Sequence, residues 1–325
     1  MKNILIAVGC LFVVCLSFAL GDAPLGVGEV FLALLNPDQT VVSTIVWELR
    51  LPRTFVGAIV GASLGIAGAA MQGLLRNPLA EPGVVGVSGC AGLGAVLVFY
   101  SGLMAISPLL LPIGGMLGAM VAVVLLYGLT QRGSTTQTII LAGVAINAFA
   151  GAMTSLALNL SSNPFAAYEV VFWLMGSIAD RSMEHLWLCL VPTLMGWLLL
   201  ARAGPGLNAL SLGEETAASM GVSLPRLRTL VILGTALAVG AAVSVSGMIG
   251  FIGLVVPHIL RPWLGYQPSR LMLWSGVGGA AALLVADVVV RLVPTDLELK
   301  LGVVTAIFGA PFFFLLIQRM RREAL

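Results

Sequence analysis

The chain has 325 residues, of which 59% are hydrophobic and 9% are charged, and its formal net charge is +2. Roughly a quarter of the residues of a soluble domain are charged, so this composition excludes a soluble globular protein and predicts that membrane lipid is its main solvent. The small net charge gives no reason to expect nucleic acid as a partner. The four cysteines lie inside apolar runs and the two histidines are far apart, so we expect no metal site.

The apolar segments are long and continuous, which favours helices over the strands of a membrane barrel. A spanning helix needs about 20 apolar residues, whereas a barrel strand shows alternating polarity over about 10 residues. The predicted spans lie, in chain order, at 4–20, 54–74, 85–105, 108–130, 138–160, 185–202, 227–247, 249–262, 271–292 and 301–319. The first resembles a signal peptide, but its apolar run is long and no clear cleavage site follows, so we interpret it as a span. The eighth is short for a full crossing, and the apolar piece at 168–178 is expected to lie at the membrane interface or to re-enter it.

The distribution of lysine and arginine predicts the orientation of these spans, because cytoplasmic loops carry the excess of positive charge. One side of the ten-span topology holds Lys2, Arg76, Arg132, Arg202, Arg226, Arg228, Arg261, Arg270, Arg319, Arg321 and Arg322. The other side holds Arg50, Arg53, Arg181, Arg291 and Lys300. Both termini are therefore expected on the cytoplasmic side.

Glycines recur every four residues along the second span, at Gly57, Gly61 and Gly65, with Gly68 close by. Small residues at this interval let helix backbones approach closely, which is what drives helix association in lipid. We therefore interpret these glycines as tight helix contacts rather than as ligand-binding positions.

No catalytic motif stands out in the sequence. The only lysines are Lys2 and Lys300, and neither ends the glycine-rich loop that ATPases use to hold phosphates. We therefore expect the chain not to be an enzyme and not to hydrolyse ATP.

The longest polar break, at 203–225, is expected to face the cytoplasm. Its Ser211 and Glu214 have the spacing of a capping box, which predicts a short helix of about nine residues ending at Gly221. Glu214 and Glu215 would stabilise the positive end of that helix. The alternative is that 203–225 is an ordinary solvated loop without this helix.

Several segments resemble the FecCD-type permeases of bacterial ABC importers for iron–siderophores, haem and vitamin B12. They are LRLPRTFVGAIVGASLGIAGAAMQGLLRNPLAEPGVVGVSG at 49–89, ALSLGEETAASMG at 209–221, SGMIGFIGLVVPHILR at 246–261, ADVVVR at 286–291 and LGVVTAIFGAPFFFLLI at 301–317. The resemblance implies an all-α fold of about ten transmembrane helices like that of the vitamin B12 importer permease, with residues 1–325 forming one transmembrane permease domain. It also implies a multi-pass location in the bacterial inner membrane.

The resemblance implies partners as well. Permeases of this family work with a second permease copy, expected here as a homodimer, with two cytoplasmic ATPase subunits and with a periplasmic substrate-binding protein. ATP and Mg²⁺ would then be bound by the ATPase, and no cofactor is expected in this chain. By the same resemblance, the segment around Ser211, Glu214, Glu215, Ala217 and Gly221 is the coupling helix that contacts the ATPase.

The resemblance assigns two further groups of residues. Arg50, Arg53 and Arg291 match outer arginines that dock glutamates of the binding protein, a task that suits the bidentate guanidinium. Cytoplasmic gate positions align with Asn77, Leu79, Thr136 and Gln137. At the last of these, glutamine stands where the family usually has a short hydroxyl residue.

Two other functions are compatible with a polytopic membrane protein. A secondary transporter driven by an ion gradient needs an ionisable residue within the membrane, and Asp287 is the candidate, although its spacing from Arg291 predicts an i,i+4 ion pair. An intramembrane enzyme or a non-transporting scaffold is the third class, but no catalytic constellation favours it. The sequence does not distinguish siderophore, haem and cobalamin as cargo.

Overall fold

The computed structural model describes residues 2–21, 23, 25–35, 40–130, 136–161, 164–293 and 299–323. Within these ranges the chain forms α1 (Lys2–Ala19), α2 (Val27–Leu35), α3 (Val41–Thr44), α4 (Leu51–Leu74), α5 (Val87–Tyr100), α6 (Leu110–Leu129), α7 (Thr136–Asn159), α8 (Pro164–Leu174), α9 (Met183–Leu210), α10 (Glu214–Ser219), α11 (Leu224–Ser246), α12 (Ile252–Leu264), α13 (Pro268–Leu292) and α14 (Leu301–Glu323). A π-helical segment, Ile45–Arg50, joins α3 to α4 without a break, and short 3-10 turns occupy Pro82–Val85 and Leu103–Ala105.

The helices confirm the predicted all-α membrane architecture. Seven of the described helices are long and apolar enough to cross a membrane, and three shorter apolar helices, Ile4–Ala19, Val87–Tyr100 and Ile252–Leu264, accompany them. Each coincides with one predicted span. Helix α8 has 11 residues, too few to cross, as expected for the apolar piece at 168–178. Helix α2 was not predicted.

Helix α4 lies at the centre of the bundle, packed against α9, α11, α12 and α13. Its glycines make these contacts possible. A β-carbon at Gly61 would fall 2.8 Å from the carbonyl carbon of Gly279 in α13, and one at Gly65 would fall 2.7 Å from that of Ser275. A β-carbon at Gly68 would fall 2.6 Å from the carbonyl carbon of Gly253 in α12. Real β-carbons essentially never come this close, so the predicted tight helix contacts are confirmed.

Large apolar side chains are exposed on the outer helices, for example Leu141 in α7 (70% exposed) and Phe314 in α14 (68% exposed). In water such a surface would aggregate. In a bilayer it is the surface that lipid or another membrane protein covers, in agreement with the composition.

Candidate functional site

Arg50, at the end of the π-helical segment, holds the C-terminal end of α1. The residue is 5% exposed. Its Nη1 donates to the carbonyls of Phe18 and Ala19 at 2.9 Å, and its Nη2 donates to that of Ala23 at 2.7 Å. The last carbonyls of a helix lack intrahelical donors and carry the negative end of its dipole, so a buried guanidinium stabilises them.

Asp287 in α13 joins the other two predicted docking arginines. Its carboxylate is 1% exposed. The Nε and Nη2 of Arg53 donate to Oδ1 at 3.0 and 2.9 Å, and Nη2 of Arg291 lies 2.6 Å from Oδ2. The predicted Asp287–Arg291 ion pair is therefore confirmed, and Arg53 is a second partner that sequence spacing could not reveal. Because two guanidiniums compensate its charge, Asp287 gives no support to ion-coupled transport.

Arg291 also contacts α1. It donates to the carbonyls of Ser17 and Leu20 and, through Nη2, to the hydroxyl of Ser17 at 2.8 Å. The end of α1 is thus held from two sides, by Arg50 of the α4 entry and by Arg291 of α13. Sequence reasoning did not predict this structural role.

These arginines line a cleft of about 250 Å³ between the ends of α1, α4 and α13. Arg181 and Asp180, from the segment that precedes α9, complete its wall. The structure therefore brings the three predicted docking residues together and adds Arg181, which sequence reasoning counted only as an outer positive charge. Their docking role stays a prediction, and a carboxylate that entered the cleft would compete with Asp287 and with the carbonyls of α1.

At the opposite end of α4, the turn at 75–86 carries two of the predicted gate residues. The Asn77 side chain accepts a hydrogen bond from the Leu79 N–H at 2.9 Å, which shapes the turn. Gln137 is exposed in the first turn of α7. Thr136 begins that helix, and its side chain lies outside the described part of the chain. The gate assignment stays a prediction.

Two partly buried contacts that the sequence did not suggest tie this turn to the bundle. The Glu81 carboxylate accepts a hydrogen bond from the Phe251 N–H at 2.9 Å, and the Asn147 side chain donates to the Gly83 carbonyl at 2.6 Å. Burial raises the pKa of the Glu81 carboxyl, and the hydrogen bond from Phe251 offsets part of that rise. The only signal in the sequence was an acidic residue in the turn between two apolar spans.

Gln72, near the end of α4, supports the same region of α12. Its Nε2 donates to the carbonyls of Gly253 and Leu254 at 3.5 and 3.3 Å, and its Oε1 accepts from Arg261. Pro257 has no N–H, so the Gly253 carbonyl, four residues earlier, lacks its usual helix donor. The glutamine supplies a donor in its place.

The predicted coupling segment is helical, but its details differ from the prediction. Helix α9 continues past Pro205 to Leu210, so Ser211 is its C-cap. The Ser211 hydroxyl donates to the Asn208 carbonyl. The N-cap of α10 is Gly213, without a side-chain cap. The predicted capping box is therefore wrong, and α10 has six residues instead of about nine.

Other features of the coupling segment match the prediction. Glu214 and Glu215 occupy the first turn of α10, and Gly221 follows its C-cap with φ +84°, as a C′ glycine should. Ala217 is fully buried, whereas Leu212 and Met220 are 65% and 61% exposed. Glu214 also forms an exposed ion pair with Arg228 of α11 at 3.2 Å. The segment is thus anchored by one small side chain and presents two large apolar ones.

The fold agrees with comparisons to known proteins. The sequence profile of the FecCD transport family matches residues 9–319. The chain is 40% identical to the vitamin B12 import system permease protein BtuC of Vibrio cholerae, over 96% of this chain and 92% of that protein. It is 38% identical to the uncharacterized ABC transporter permease protein YvrB of Bacillus subtilis, over 89% of this chain and 82% of that protein.

A solved structure supports the same relationship. It is an inward-facing conformation of a transporter described as a metal-chelate type ABC transporter, with a TM-score of 0.86 and 29% sequence identity, covering 98% of this chain and all of that one. These relatives are transport components rather than enzymes. The chain therefore belongs to the FecCD transport family of multi-pass inner-membrane permeases.

Proposed function

We propose that the chain is the membrane-spanning permease subunit of an ATP-driven importer for metal chelates. Its relatives are named as permeases of vitamin B12 import or of ABC transporters, which makes cobalamin the first cargo to test, ahead of haem and iron–siderophores. The working assembly contains a second copy of the chain, two cytoplasmic ATPase subunits and a periplasmic binding protein. Both termini of the chain face the cytoplasm.

The observation that carries this proposal is the surface formed by α10 and its flanking residues. Leu212 precedes α10 and Met220 is its C-cap, and both are exposed. The helix begins with an acidic first turn and contacts the two long helices α9 and α11. Ala217 is fully buried against the bundle. A displacement of α10 by a partner would therefore also displace the spanning helices against which it packs. An ATPase subunit bound to the exposed apolar side chains could in this way move the spanning helices through α10.

At the other face, the arginine cleft is the proposed docking site of the binding protein. Arg53, with 13% of its side chain exposed, is the most accessible of the Asp287 partners, and Arg181 lines the same cleft. A glutamate that reached them would be bound in a bidentate manner. Asn77, Leu79, Thr136 and Gln137 remain the proposed gate.

The composition of the complex tests the proposal. The tagged chain is purified in mild detergent from its native membrane, and the intact complex is weighed by mass spectrometry. We expect a mass that fits two copies of the chain with two P-loop ATPase subunits. A bare monomer or dimer in several mild detergents would contradict it.

The coupling surface is tested in the same preparation. The double variant Leu212→Glu/Met220→Glu should lose the ATPase subunits, because two charges replace the apolar contact. Ser219→Glu adds a charge to an exposed polar position of α10 and should retain them. ATP-dependent uptake of labelled vitamin B12 into vesicles, with haem and an iron–siderophore as alternatives, then identifies the cargo.

A further inference from the structure

The link at 247–251, between α11 and α12, has an unusual backbone. Gly247 has φ +70°, and Phe251, the N-cap of α12, has φ +68°. A non-glycine residue in the left-handed region is strained and needs stabilising contacts. The Glu81 carboxylate supplies one by accepting the Phe251 N–H at 2.9 Å, at the positive end of the α12 dipole.

The side chain of Phe251 reaches a third element. A β-carbon at Gly309 in α14 would fall 2.7 Å from Cδ1 of Phe251, and one at Gly302 would fall 2.7 Å from the Met248 carbonyl oxygen. Two close approaches of α14 are therefore made to residues of the 247–251 link. The 247–251 link is therefore one of the surfaces against which α14 packs, together with the Met175 carbonyl, which also approaches Gly302.

Helix α14 depends on these approaches because it is peripheral. It packs mainly against α12 and α13 within the described part of the chain, and Ile307, Phe308 and Phe314 are 62%, 67% and 68% exposed. A helix with so much exposed surface has few contacts that fix its position. A shift of Phe251 would therefore move α14 more readily than it would move the central helices.

We propose that Glu81 is a positioning residue that couples the turn at 75–86 to α14 through the backbone and ring of Phe251. The turn carries Asn77 and Leu79 of the proposed gate, so a movement of the gate is passed to α14 across the bundle. The inference rests on the proposed transport function, but its structural part can be tested without transport.

Hydrogen exchange of the intact complex, measured by mass spectrometry, tests that structural part. Glu81→Ala removes the acceptor of the Phe251 N–H, so exchange at 250–256 and at 303–312 should rise about tenfold, the effect of losing a hydrogen bond to a charged group. Glu81→Gln keeps an acceptor oxygen and a neutral hydrogen bond, so exchange should rise less than in Glu81→Ala. Unchanged exchange at 303–312 in Glu81→Ala would overturn the proposal.

Asn147→Ala is the matched control, because Asn147 holds the same turn at Gly83 but does not act through Phe251. It should raise exchange at 82–86 and leave 303–312 unchanged. An equal rise at 303–312 would overturn the proposal, because any loosening of the turn would then suffice. If Glu81→Ala does not fold, Phe251→Ala carries the test. It should raise exchange in α14 while the amide of residue 251 stays protected, and the absence of that rise overturns the proposal.

A transport measurement separates positioning from simple stability. In the reconstituted complex, Glu81→Ala should lower the cargo taken up per ATP hydrolysed, and Glu81→Gln should restore it. The double variant Glu81→Ala/Phe251→Ala should be no worse than the poorer single variant, because both act on one linkage. Additive losses would contradict the linkage. A wild-type complex without ATP-driven uptake would refute the proposed function, and the exchange experiments would still decide the role of Glu81.

Discussion

Replacing Gly65 by alanine tests the packing at the centre of the bundle. The new β-carbon would lie 2.7 Å from the Ser275 carbonyl carbon, about 0.7 Å inside the 3.4 Å at which ordinary contact begins. Because the neighbour is helix backbone and cannot rotate away, α4 and α13 must separate. Overpacking of this kind costs about 3 kcal/mol at the upper end of its usual range.

The control is Gly73→Ala on the same helix, where the β-carbon would lie 3.5 Å from Cβ of Pro268 and 3.6 Å from Cδ2 of Leu207. Both variants gain helix propensity by about 1 kcal/mol, so their difference isolates the clash. Thermal unfolding in detergent should show Gly65→Ala melting about 6 °C or more below Gly73→Ala, from the 2–4 °C per kcal/mol typical of larger domains. Equal melting temperatures would refute the packing argument.

Three further predictions concern charged residues. Asp287→Asn removes the countercharge of the buried Arg291 and the partly buried Arg53 and should lower stability by about 3–5 kcal/mol. If it instead abolished an uptake that persists without ATP, the importer proposal would be wrong. Burial raises the pKa of Glu81, so the folded state binds its proton more tightly than the unfolded chain does, and stability should fall as pH rises from the ordinary value of about 4.3 through the raised one. The difference in melting temperature between the wild type and Glu81→Gln, measured as a function of pH, should show this fall. A difference that does not change with pH would contradict the prediction. Glu214→Gln breaks an exposed ion pair and should change stability by less than about 1 kcal/mol, so a larger drop in melting temperature would show that this pair holds α10.

The helices were predictable because lipid forces each span to be a long apolar run. Helix α2 was missed because its 9 residues are too few to stand out from the connection around them. The end of α9 was misplaced because Gly204, Pro205 and Gly206 look like a helix break. Membrane helices tolerate proline where neighbouring groups satisfy the freed carbonyl, and the capping box at Ser211 failed for that reason.

For the sites, the sequence indicated which residues take part but not which residues they contact. Arg50 and Arg291 could be placed at one face from topology, but their carbonyl partners lie in α1, far away in the sequence. The same holds for Glu81, whose partner, Phe251, is 170 residues distant. No local pattern encodes such pairs, since they depend on which helices meet.

The unbroken helix from Val41 to Leu74, 34 residues long, has a mechanical consequence. At about 1.5 Å per residue it measures about 51 Å, against a hydrocarbon thickness of about 30 Å. Backbone contacts hold it at Gly61, Gly65 and Gly68, so the part from Val41 to the first of these contacts is about 30 Å long. A load applied at the Val41 end would therefore be resisted by α13 and α12 at these contacts before it reached the turn after Leu74.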